Sequence, residues 1–481
     1  MLLVAVTARL ITGKYTMKKL TRTISGVTPV AVMTAPRQCP ERCVYCPDYA
    51  STPKSYTPES PAVLRAINCQ YDAARQVRLR LKILSDMGHP TDKIELIVMG
   101  GTFLAAPVDY QLRFIKGCYD ALNGLESPSL KEAKRLNEKG EHRCVGLCIE
   151  TRPDWCGQKE IDRMLEFGAT RVELGVQTLD DSIYRLVNRG HRVEDVVTAT
   201  ALLRGHGFKV HYHWMPGLPG STPEQDLELS AMLFDDARFR PDGLKLYPTM
   251  VVAGTELERW YQQGRYQPYC DGTMIELMAS IKQKVPKYTR ISRVLRDIPS
   301  KFIVAGLRDS LRDVVKQVME WRGARCRCIR CREYGHRAQA GWQIGSPQLV
   351  RMDYEAAGGR EILLSLEDES ETLFGLLRMR LPQRPLPGLE HNGSLALIRE
   401  LHVYGPEVGL GQRDAAAAQH KGLGRALMLA AERVAADEFA VSQVAVLSGV
   451  GAREYYRSDL GYSLRGDYMV KELMWILLLK R

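Results

Sequence analysis

Two patterns of apolar and polar positions divide this chain. Between residues 39 and 285, short apolar runs alternate with stretches in which apolar residues recur every three or four positions. The apolar runs predict strands, and the periodic stretches predict amphipathic helices. The expected strands cover residues 94–99, 145–150, 171–176, 209–214 and 243–247. The expected helices cover residues 61–87, 109–122, 158–167, 182–188, 193–206 and 223–235.

Repeated strand–helix units predict a parallel sheet, here long enough to curl into a partial or full barrel. From about residue 347 the pattern changes to four longer strands, which are followed by a helix, a strand, a helix and a strand. The strands are expected over residues 349–355, 360–366, 372–380, 394–403, 443–447 and 462–470, and the helices from 419 to about 438 and over 452–459. The chain is therefore expected to be an α/β protein with two different folded units.

Charge and cysteine usage narrow the function. The net charge is +11, and the basic residues concentrate in three groups, which indicates a phosphate-rich partner such as nucleic acid; a solvated basic face is the alternative. The groups are Lys14, Lys18, Lys19 and Arg22; Lys282, Lys284, Lys287, Arg290, Arg293, Arg296 and Lys301; and Arg322, Arg325, Arg327, Arg330, Arg332 and Arg337. Six of the twelve cysteines fall into two tight clusters, which predicts metal binding in a reducing cytoplasm. No apolar run approaches the ~20 residues of a membrane span, so we expect no membrane association.

Cys39, Cys43 and Cys46 form the first cluster, at C-x3-C-x2-C spacing. Pro40 and Pro47 keep the segment out of regular helix, so it can wrap around an iron–sulfur cluster. Three cysteine ligands leave one iron of a 4Fe–4S cluster open to a small molecule. This spacing resembles that of the radical S-adenosylmethionine (SAM) enzymes. A structural zinc site and unligated thiols are the alternatives.

Two strand ends would complete a SAM site. Gly100, Gly101 and Thr102 follow the first expected strand, where glycines let the backbone approach a ligand closely. They resemble the GGE-like turn that binds the SAM amino group in radical SAM enzymes, with threonine in the third place. A tight turn without a ligand is the alternative. Glu173 and Gln177 share a face of a later strand and are expected to point inward.

The second cluster comprises Cys326, Cys328 and Cys331, whose spacing puts three thiolates within reach of one tetrahedral ion. A closed zinc site needs a fourth ligand, for which His336 and Cys270 are candidates. Free thiols are the alternative to zinc. A zinc ion here would stabilise a small linker between the two folded units.

Near the C-terminus, Gln419, Gly422 and Gly424 form a Q-x-x-G-x-G sequence that opens a helix. Backbone N–H groups and the helix N-terminus there would face a diphosphate. With four strands before it and a β–α–β order after it, this segment resembles the acyl-CoA site of GNAT acetyltransferases.

Together these features resemble the catalytic subunit of the Elongator complex and its stand-alone archaeal and bacterial relatives. The resemblance extends over residues 21–470. Its local matches are residues 43–47 (CVYCP), 92–103 (DKIELIVMGGTF), 149–154 (IETRPD), 172–178 (VELGVQT), 399–405 (RELHVYG), 419–420 (QH), 454–457 (EYYR) and 461–462 (GY). It implies a partial (β/α) radical SAM barrel over residues 37–320, after a basic N-terminal extension (1–36). A Cys-rich zinc-binding linker (321–346) and a GNAT-type acetyl-CoA-binding domain (347–481) would follow.

The resemblance also implies a reaction. SAM would be cleaved to a 5′-deoxyadenosyl radical, which takes hydrogen from the methyl group of acetyl-CoA. The carbon radical would add to C5 of the wobble uridine of tRNA, and thioester hydrolysis would leave 5-carboxymethyluridine. The implied acetyl-CoA contacts are Lys93, Glu400, Leu401, His402, Val403, Ala418, Gln419, His420, Gly422, Gly424 and Tyr456, with Lys93, Tyr455 and Tyr456 at the reacting end.

Two other functions compete with tRNA modification. The first is protein or histone lysine acetylation with a merely structural iron–sulfur cluster. The sequence shows no pair of helices between the first two strands of the C-terminal unit, where GNAT enzymes frame a peptide, and this disfavours it. The second is a non-enzymatic tRNA-binding protein, which the intact cysteine and glycine motifs disfavour. The sequence leaves the oligomeric state open, a homodimer included.

Overall fold

The first folded unit is built on one parallel sheet. The computed structural model describes residues 23–307, 311–382, 395–405 and 422–473, together with Leu386 and Leu389. The strands of this unit are β1 (Thr28–Met33), β2 (Lys93–Met99), β3 (Arg143–Thr151), β4 (Arg171–Gln177), β5 (Lys209–Trp214), β6 (Gly243–Leu246), β7 (Val251–Val252), β8 (Arg290–Val294) and β9 (Ile303–Ala305). Seven of them pair in parallel in the order β1–β2–β3–β4–β5–β6–β8, while β7 and β9 form a small antiparallel pair. The predicted partial barrel is confirmed.

Helices connect and cover these strands. They are α1 (Pro61–Asn68), α2 (Ala73–Asp86), α3 (Val108–Asn123), α4 (Leu130–Asn137), α5 (Gln158–Phe167), α6 (Asp181–Leu186), α7 (Val193–Gly205), α8 (Pro223–Asp235), α9 (Glu256–Gln262), α10 (Asp271–Lys284) and α11 (Leu311–Trp321). Two short helices, α12 (Ile329–Arg332) and α13 (Tyr334–Gln339), lie in the linker. Within the described ranges, no helix combines the length and apolarity that a membrane span requires.

One predicted helix is in fact two. The periodic stretch over residues 61–87 contains α1 and α2, because Gln70 and Tyr71 take left-handed φ values of 55° and 57° and break the helical path. Asp72 then caps the second helix, its carboxylate accepting a hydrogen bond from the Arg75 backbone N–H at 2.7 Å.

Two strands of the parallel sheet were missed from the sequence, as was the small pair β7 and β9. β1 lies inside the expected N-terminal extension and pairs in parallel with β2, so residues 1–36 include part of the sheet. β8 lies in the basic stretch where the strand–helix alternation was expected to stop, and it pairs with β6. Its arginines at positions 290 and 293 concealed the apolar alternation by which a strand is recognised.

The second folded unit is a mostly antiparallel sheet with two helices. Its elements are β10 (Gln348–Ala356), β11 (Gly359–Glu367), β12 (Leu373–Leu381), β13 (Leu395–Val403), α14 (Leu423–Phe439), β14 (Gln443–Val446), α15 (Arg453–Leu460), β15 (Ser463–Arg465) and β16 (Tyr468–Glu472). The order is β10–β11–β12–β13–β14–β16–β15. β10 turns directly into β11 through Ala357 and Gly358, without intervening helices. The single strand expected over residues 462–470 is a hairpin that turns at Gly466 (φ 57°).

The two units share a buried interface. One apolar core extends from the parallel sheet to Leu397, Leu447 and Val450 of the second unit. Within the interface, two acidic side chains bind several guanidinium groups, all nearly inaccessible to solvent. These residues are Asp242 and Glu361 with Arg204, Arg378, Arg380 and Arg399. Breaking such a buried set is expected to cost far more than breaking a surface ion pair.

Candidate active site

The first cysteine cluster lies at the carboxyl ends of the parallel strands. Cys39, Cys43 and Cys46 line a cavity of about 700 Å³, and Cys43 is only 7% exposed. The Val44 N–H donates to the Val187 carbonyl at 3.1 Å and ties the loop to the barrel. Two thiolates on one zinc ion lie at most about 4.6 Å apart. The three sulfurs do not all lie within 4.8 Å of one another, so the loop suits a multi-iron cluster better than a single ion.

The glycine turn after β2 lies beside this loop. Gly100 and Gly101 have φ values of 129° and 85°, conformations that favour glycine. Gly101 and Thr102 line the cavity, and the Thr102 hydroxyl lies 3.9 Å from the Cys39 sulfur. Gly100 packs against Thr34, whose hydroxyl would lie 2.1 Å from a Cβ at position 100. The turn therefore brings backbone and hydroxyl groups to the edge of the cysteine loop.

We expect Gly100→Ala to destabilise the protein by roughly 2–5 kcal/mol, because it adds backbone strain to a clash with Thr34. Gly88→Ala is the matched control: Gly88 also has a left-handed φ (75°), but its Cβ would meet nothing within 4 Å. That control should lose about 1 kcal/mol. Denaturant unfolding of the two variants measures the difference, and equal losses would contradict the close packing of this turn.

Charged side chains line the interior of the same cavity. The Lys245 ammonium bonds the carboxylates of Glu150 (3.1 Å) and Glu173, and His213 Nε2 lies 3.1 Å from Glu173. Burial alone would raise the pKa of Glu173, but Lys245, His213 and Arg171 hold it well below its usual range. The ligand atoms of Glu150, Glu173 and His213 lie within 4.8 Å of one another, and the lysine ammonium supplies the cation among them.

Gln177 ends β4 in a left-handed conformation (φ 73°) and lines the cavity. Its amide oxygen is buried and accepts no hydrogen bond from the described residues. Buried polar atoms are nearly always paired, so an unpaired one facing a cavity marks a ligand contact. Glu173, by contrast, is already fully engaged by its neighbours. Glu173 and Gln177 were both predicted from the sequence to bind SAM. Of the two, Gln177 has the hydrogen-bonding atom that is still available to a ligand.

His211 on β5 makes the stability depend on pH. Burial, followed by the nearby Arg171 charge, lowers its pKa to about 3, whereas Glu173 and Asp242 oppose this and Lys209 adds to it. Unfolded histidine binds a proton near pH 6.5, so the unfolded chain gains stability as the pH falls below that value. We expect His211→Asn to remove about 2 kcal/mol of the stability loss between pH 7 and pH 5. Denaturant titrations at several pH values measure it; an unchanged pH slope would show that folded His211 takes up the proton.

A second cavity, of about 220 Å³, lies between the two folded units and is lined by residues of both. β13 pairs with β14 only from Leu395 to Ile398, so the remainder of β13 diverges and opens a groove. Six residues expected to contact acetyl-CoA line this groove: Lys93, Glu400, Leu401, His402, Val403 and Tyr456. The structure thus brings together residues that are more than 350 positions apart in sequence.

Two of the groove residues are held firmly. Glu400 accepts a hydrogen bond from Arg378 Nε at 2.8 Å and one from Lys209 at 3.4 Å. Although burial alone would raise the pKa of Glu400, Lys209 and Arg378 hold it well below the usual value. His402 Nε2 lies 2.7 Å from the Ser25 carbonyl, and burial lowers the pKa of this histidine. A neutral imidazole that donates from Nε2 to this carbonyl satisfies both observations.

The tyrosines and glycines predicted for acetyl-CoA differ in placement. Tyr456 lines the groove, whereas Tyr455 packs edge-on against it, with ring centres 5.4 Å apart. The Tyr455 hydroxyl would lie 3.1 Å from a Cβ at Gly424, so glycine there allows α14 to approach. Burial raises the pKa of Tyr455 to about 12, which keeps the phenol protonated at neutral pH. Gly422 (φ 78°) is the N-cap of α14.

Three further predicted contacts, Ala418, Gln419 and His420, lie outside the described residues.

Comparisons with known proteins agree with this geometry. Residues 33–233 match the radical SAM superfamily, and residues 241–320 match the radical SAM C-terminal domain. A Dehalococcoides mccartyi protein named tRNA uridine(34) acetyltransferase is 65% identical over 459 residues, covering 95% of this chain and 100% of that protein. Elongator complex protein 3 of Homo sapiens is 43% identical, covering 94% of this chain and 85% of that protein. This chain belongs to the Elongator complex protein 3 family.

A solved structure supports the same assignment. The archaeal Methanocaldococcus infernus Elp3 with an N-terminal deletion superposes with a TM-score of 0.83 at 46% identity, covering 94% of this chain and 100% of that one. Membership of the radical SAM superfamily implies a 4Fe–4S cluster and SAM. The spread sulfurs of Cys39, Cys43 and Cys46, and the unpaired Gln177 amide in the same cavity, fit those two groups.

In this member of the Elongator complex protein 3 family, the second cysteine cluster is compact. The sulfurs of Cys326, Cys328 and Cys331 lie within 4.8 Å of one another, as one tetrahedral ion requires. His336 does not join this group, and its Nε2 is buried without a hydrogen-bond partner among the described residues. Cys270 does not join this group either, and its thiol is exposed.

The basic residues expected to meet nucleic acid are distributed unequally. Four line the larger cavity: Arg290, Arg293, Arg296 and Arg330. Lys284 and Arg325 are exposed. Lys287 and Arg327 both bond Glu371, at 2.8 Å and 2.6 Å, so part of their charge is neutralised.

Lys282 requires a correction. It is only 3% exposed because it lies on the packed face of α10, and a direct phosphate contact is not available to it. Lys18 and Lys19 lie outside the described residues.

Among the cavity residues that were not found from the sequence are Arg171, Lys209 and Lys245. Arg171 on β4 bonds Glu95, and Lys209 on β5 bonds Glu400. The charge that each strand places at a cavity is therefore paired with an opposite charge. The available signal was a single charge in a strand otherwise expected to be buried. Such a charge must be paired or face a ligand, which makes it informative even without a motif.

Proposed function

We propose that this protein modifies C5 of the wobble uridine of tRNA, with acetyl-CoA as the source of the added two-carbon group and SAM as the source of the radical. The product is 5-carboxymethyluridine. The names of its relatives support a tRNA uridine substrate. The radical SAM match supports a radical step, which a simple acetyl transfer would not need.

One observation carries the proposal: the two cavities share a wall. Val27 and Glu95 line both the larger cavity, which the cysteine loop also lines, and the groove between the two units. An acetyl group in the groove would therefore lie next to the cavity that the cysteine loop lines, within the same molecule. Holding the reactants in adjacent sites replaces an encounter in solution.

The cysteine loop would hold the cluster, and the residues around it would hold SAM. The cluster, when bound by Cys39, Cys43 and Cys46, supplies the electron that cleaves SAM reductively. Gly101 and Thr102 offer backbone and hydroxyl groups to SAM from the turn after β2, and Gln177 offers an unpaired amide oxygen.

The groove would hold acetyl-CoA. The diverging half of β13 leaves backbone groups from Glu400 to Val403 for the pantetheine, since β14 pairs only with its first half. Lys93 would contact the cofactor near the shared wall. Tyr456, buried and lining the groove, would donate its hydroxyl to the thioester. Ala418, Gln419 and His420, which precede α14 in the sequence, would bind the diphosphate together with Gly422, the N-cap of α14.

The tRNA would enter where Arg290, Arg293, Arg296 and Arg330 line the larger cavity. Guanidinium groups there match phosphate in charge and geometry. A zinc ion on Cys326, Cys328 and Cys331 would hold α12, and with it Arg330, against β8. The Ile329 N–H already donates to the Thr289 carbonyl at 3.0 Å in this contact.

A test of the function uses the full chain, reconstituted anaerobically with iron and sulfide. The reaction contains SAM, acetyl-CoA, a reductant, an anticodon stem-loop and a lysine-containing peptide. We expect carboxymethyluridine only when SAM and acetyl-CoA are both present, and an unmodified peptide. Peptide acetylation with an unmodified stem-loop would support lysine acetylation instead.

The role of the shared wall can be tested by filling the space beside it with a larger side chain. We expect Val27→Trp to lower uridine modification by about 10²-fold, because the added ring misplaces the acetyl group, while reductive SAM cleavage continues. Val108→Trp, at a residue that is 46% exposed, is the matched control and should leave both unchanged. Product analysis and 5′-deoxyadenosine release measure the two steps. Equal product from Val27→Trp and the parent would place the acetyl route elsewhere.

A further inference from the structure

Arg189 contacts one of the first three cysteines directly. It follows α6, is only 6% exposed and lines the larger cavity. Its Nη1 donates to the Cys43 sulfur at 3.6 Å, and its Nη2 donates to the Gly175 carbonyl. Its Nε is buried and makes no hydrogen bond with the described residues.

This guanidinium has no carboxylate partner. Within the described ranges no acidic side chain forms an ion pair with it, whereas the buried arginines at the interface of the two units each bind one or more. An unpaired buried cation is costly. The anion that can balance Arg189 is therefore the sulfur of Cys43, as a thiolate ligand.

The contact is fixed from both sides. The Val44 N–H, next to Cys43, donates to the Val187 carbonyl at 3.1 Å, and the Arg189 N–H donates to the Tyr184 carbonyl at 2.9 Å. Gly190 (φ 85°) packs so tightly on Glu41 that a Cβ there would lie 2.5 Å from the glutamate side chain. The segment that carries Arg189 and the loop that carries Cys43 thus pack as one rigid piece.

We propose that Arg189 raises the reduction potential of the cluster by donating a charged hydrogen bond to the Cys43 sulfur. This rests on the proposed binding of a cluster by the three cysteines. Reduction adds negative charge to the cluster and its sulfur ligands, and a cationic donor stabilises the reduced form more than the oxidised form. Hydrogen bonds to sulfur are among the factors that set iron–sulfur potentials. Arg189 acts on SAM cleavage through the cluster and is a positioning residue.

The test measures the potential in the reconstituted full chain without SAM, by dye-mediated reduction followed by EPR. We expect Arg189→Met to have a lower potential than the parent and an altered EPR signal of the reduced cluster. Arg189→Lys keeps the charge and should lie between the two. Arg65→Met is the matched control, since Arg65 lines the same cavity but its guanidinium donates to the Pro61 and Ala31 carbonyls, and its potential should equal the parent value.

Several results would decide the matter. Equal potentials for Arg189→Met and the parent would overturn the inference, and a loss confined to SAM affinity would instead make Arg189 a SAM ligand. If Arg189→Met retained too little iron to measure, Arg189→Lys would be compared with the parent instead. Identical EPR signals and identical potentials for Arg189→Lys and the parent would also overturn the inference. A shifted potential in a protein that makes no modified uridine would contradict the proposed function and leave this inference standing.

Discussion

Replacing Cys43 with alanine is expected to reduce carboxymethyluridine formation to the level of a reaction without iron. Cys43 is the most buried of the three cysteines on the loop and the one that Arg189 contacts. Its loss removes one of three cluster ligands and leaves the guanidinium without its anion. We therefore expect iron content, SAM cleavage and uridine modification to fall together. Iron analysis, 5′-deoxyadenosine release and mass spectrometry of the stem-loop measure the three.

Cys270→Ser provides the control for this variant. Its thiol is exposed and lies outside both cysteine groups. Iron content and uridine product should therefore match those of the parent. Carboxymethyluridine from iron-free Cys43→Ala would exclude a radical reaction at this loop.

Replacing Asp242 with asparagine is expected to destabilise the protein by about 3–5 kcal/mol. The Asp242 carboxylate binds Arg399 at 2.8 Å and Arg204 at 3.2 Å and lies 3.5 Å from Arg378, all at the buried interface of the two units. Asparagine keeps the volume but removes the charge, so three guanidinium groups lose an anion at once. Arg378 also holds Glu400 in the acetyl-CoA groove, so the interface and the groove should be disturbed together.

Glu438→Gln is the control for the buried set. Glu438 binds Arg351 through two short hydrogen bonds, but its side chain is 44% exposed. Exposed pairs contribute about 1 kcal/mol or less, so this variant should unfold almost like the parent. Denaturant unfolding measures both variants. A loss for Asp242→Asn no larger than that for Glu438→Gln would show that the interface does not depend on its buried charges.

The sequence predicted the architecture well where apolar periodicity was strong. Strands β2 to β6 and most helices were found within a few residues. The errors have local causes. Two left-handed residues divide the helix expected over residues 61–87, and arginines conceal the alternation in β8. β1 has a clear apolar run but follows a basic segment, which led to its assignment to an extension.

The site was predicted as separate motifs, and the structure shows what joins them. Motif spacing places the three cysteines on one loop and Glu400 to Val403 on one strand. It does not show that Glu95, two residues after Lys93, lies on a wall common to both cavities. That relation depends on how the two units pack, which no local pattern records. Arg189 was overlooked for a similar reason, because its partner Cys43 lies 146 positions earlier.

The central claim is that one chain uses a radical to attach the methyl carbon of the acetyl group of acetyl-CoA to a tRNA uridine. The most direct test supplies acetyl-CoA whose methyl group is fully deuterated to the reconstituted protein with SAM and the anticodon stem-loop. The account predicts deuterium in the released 5′-deoxyadenosine and in the carboxymethyl group at C5 of the wobble uridine. Deuterium-free 5′-deoxyadenosine beside a fully deuterated acetyl group on tRNA or lysine would contradict it.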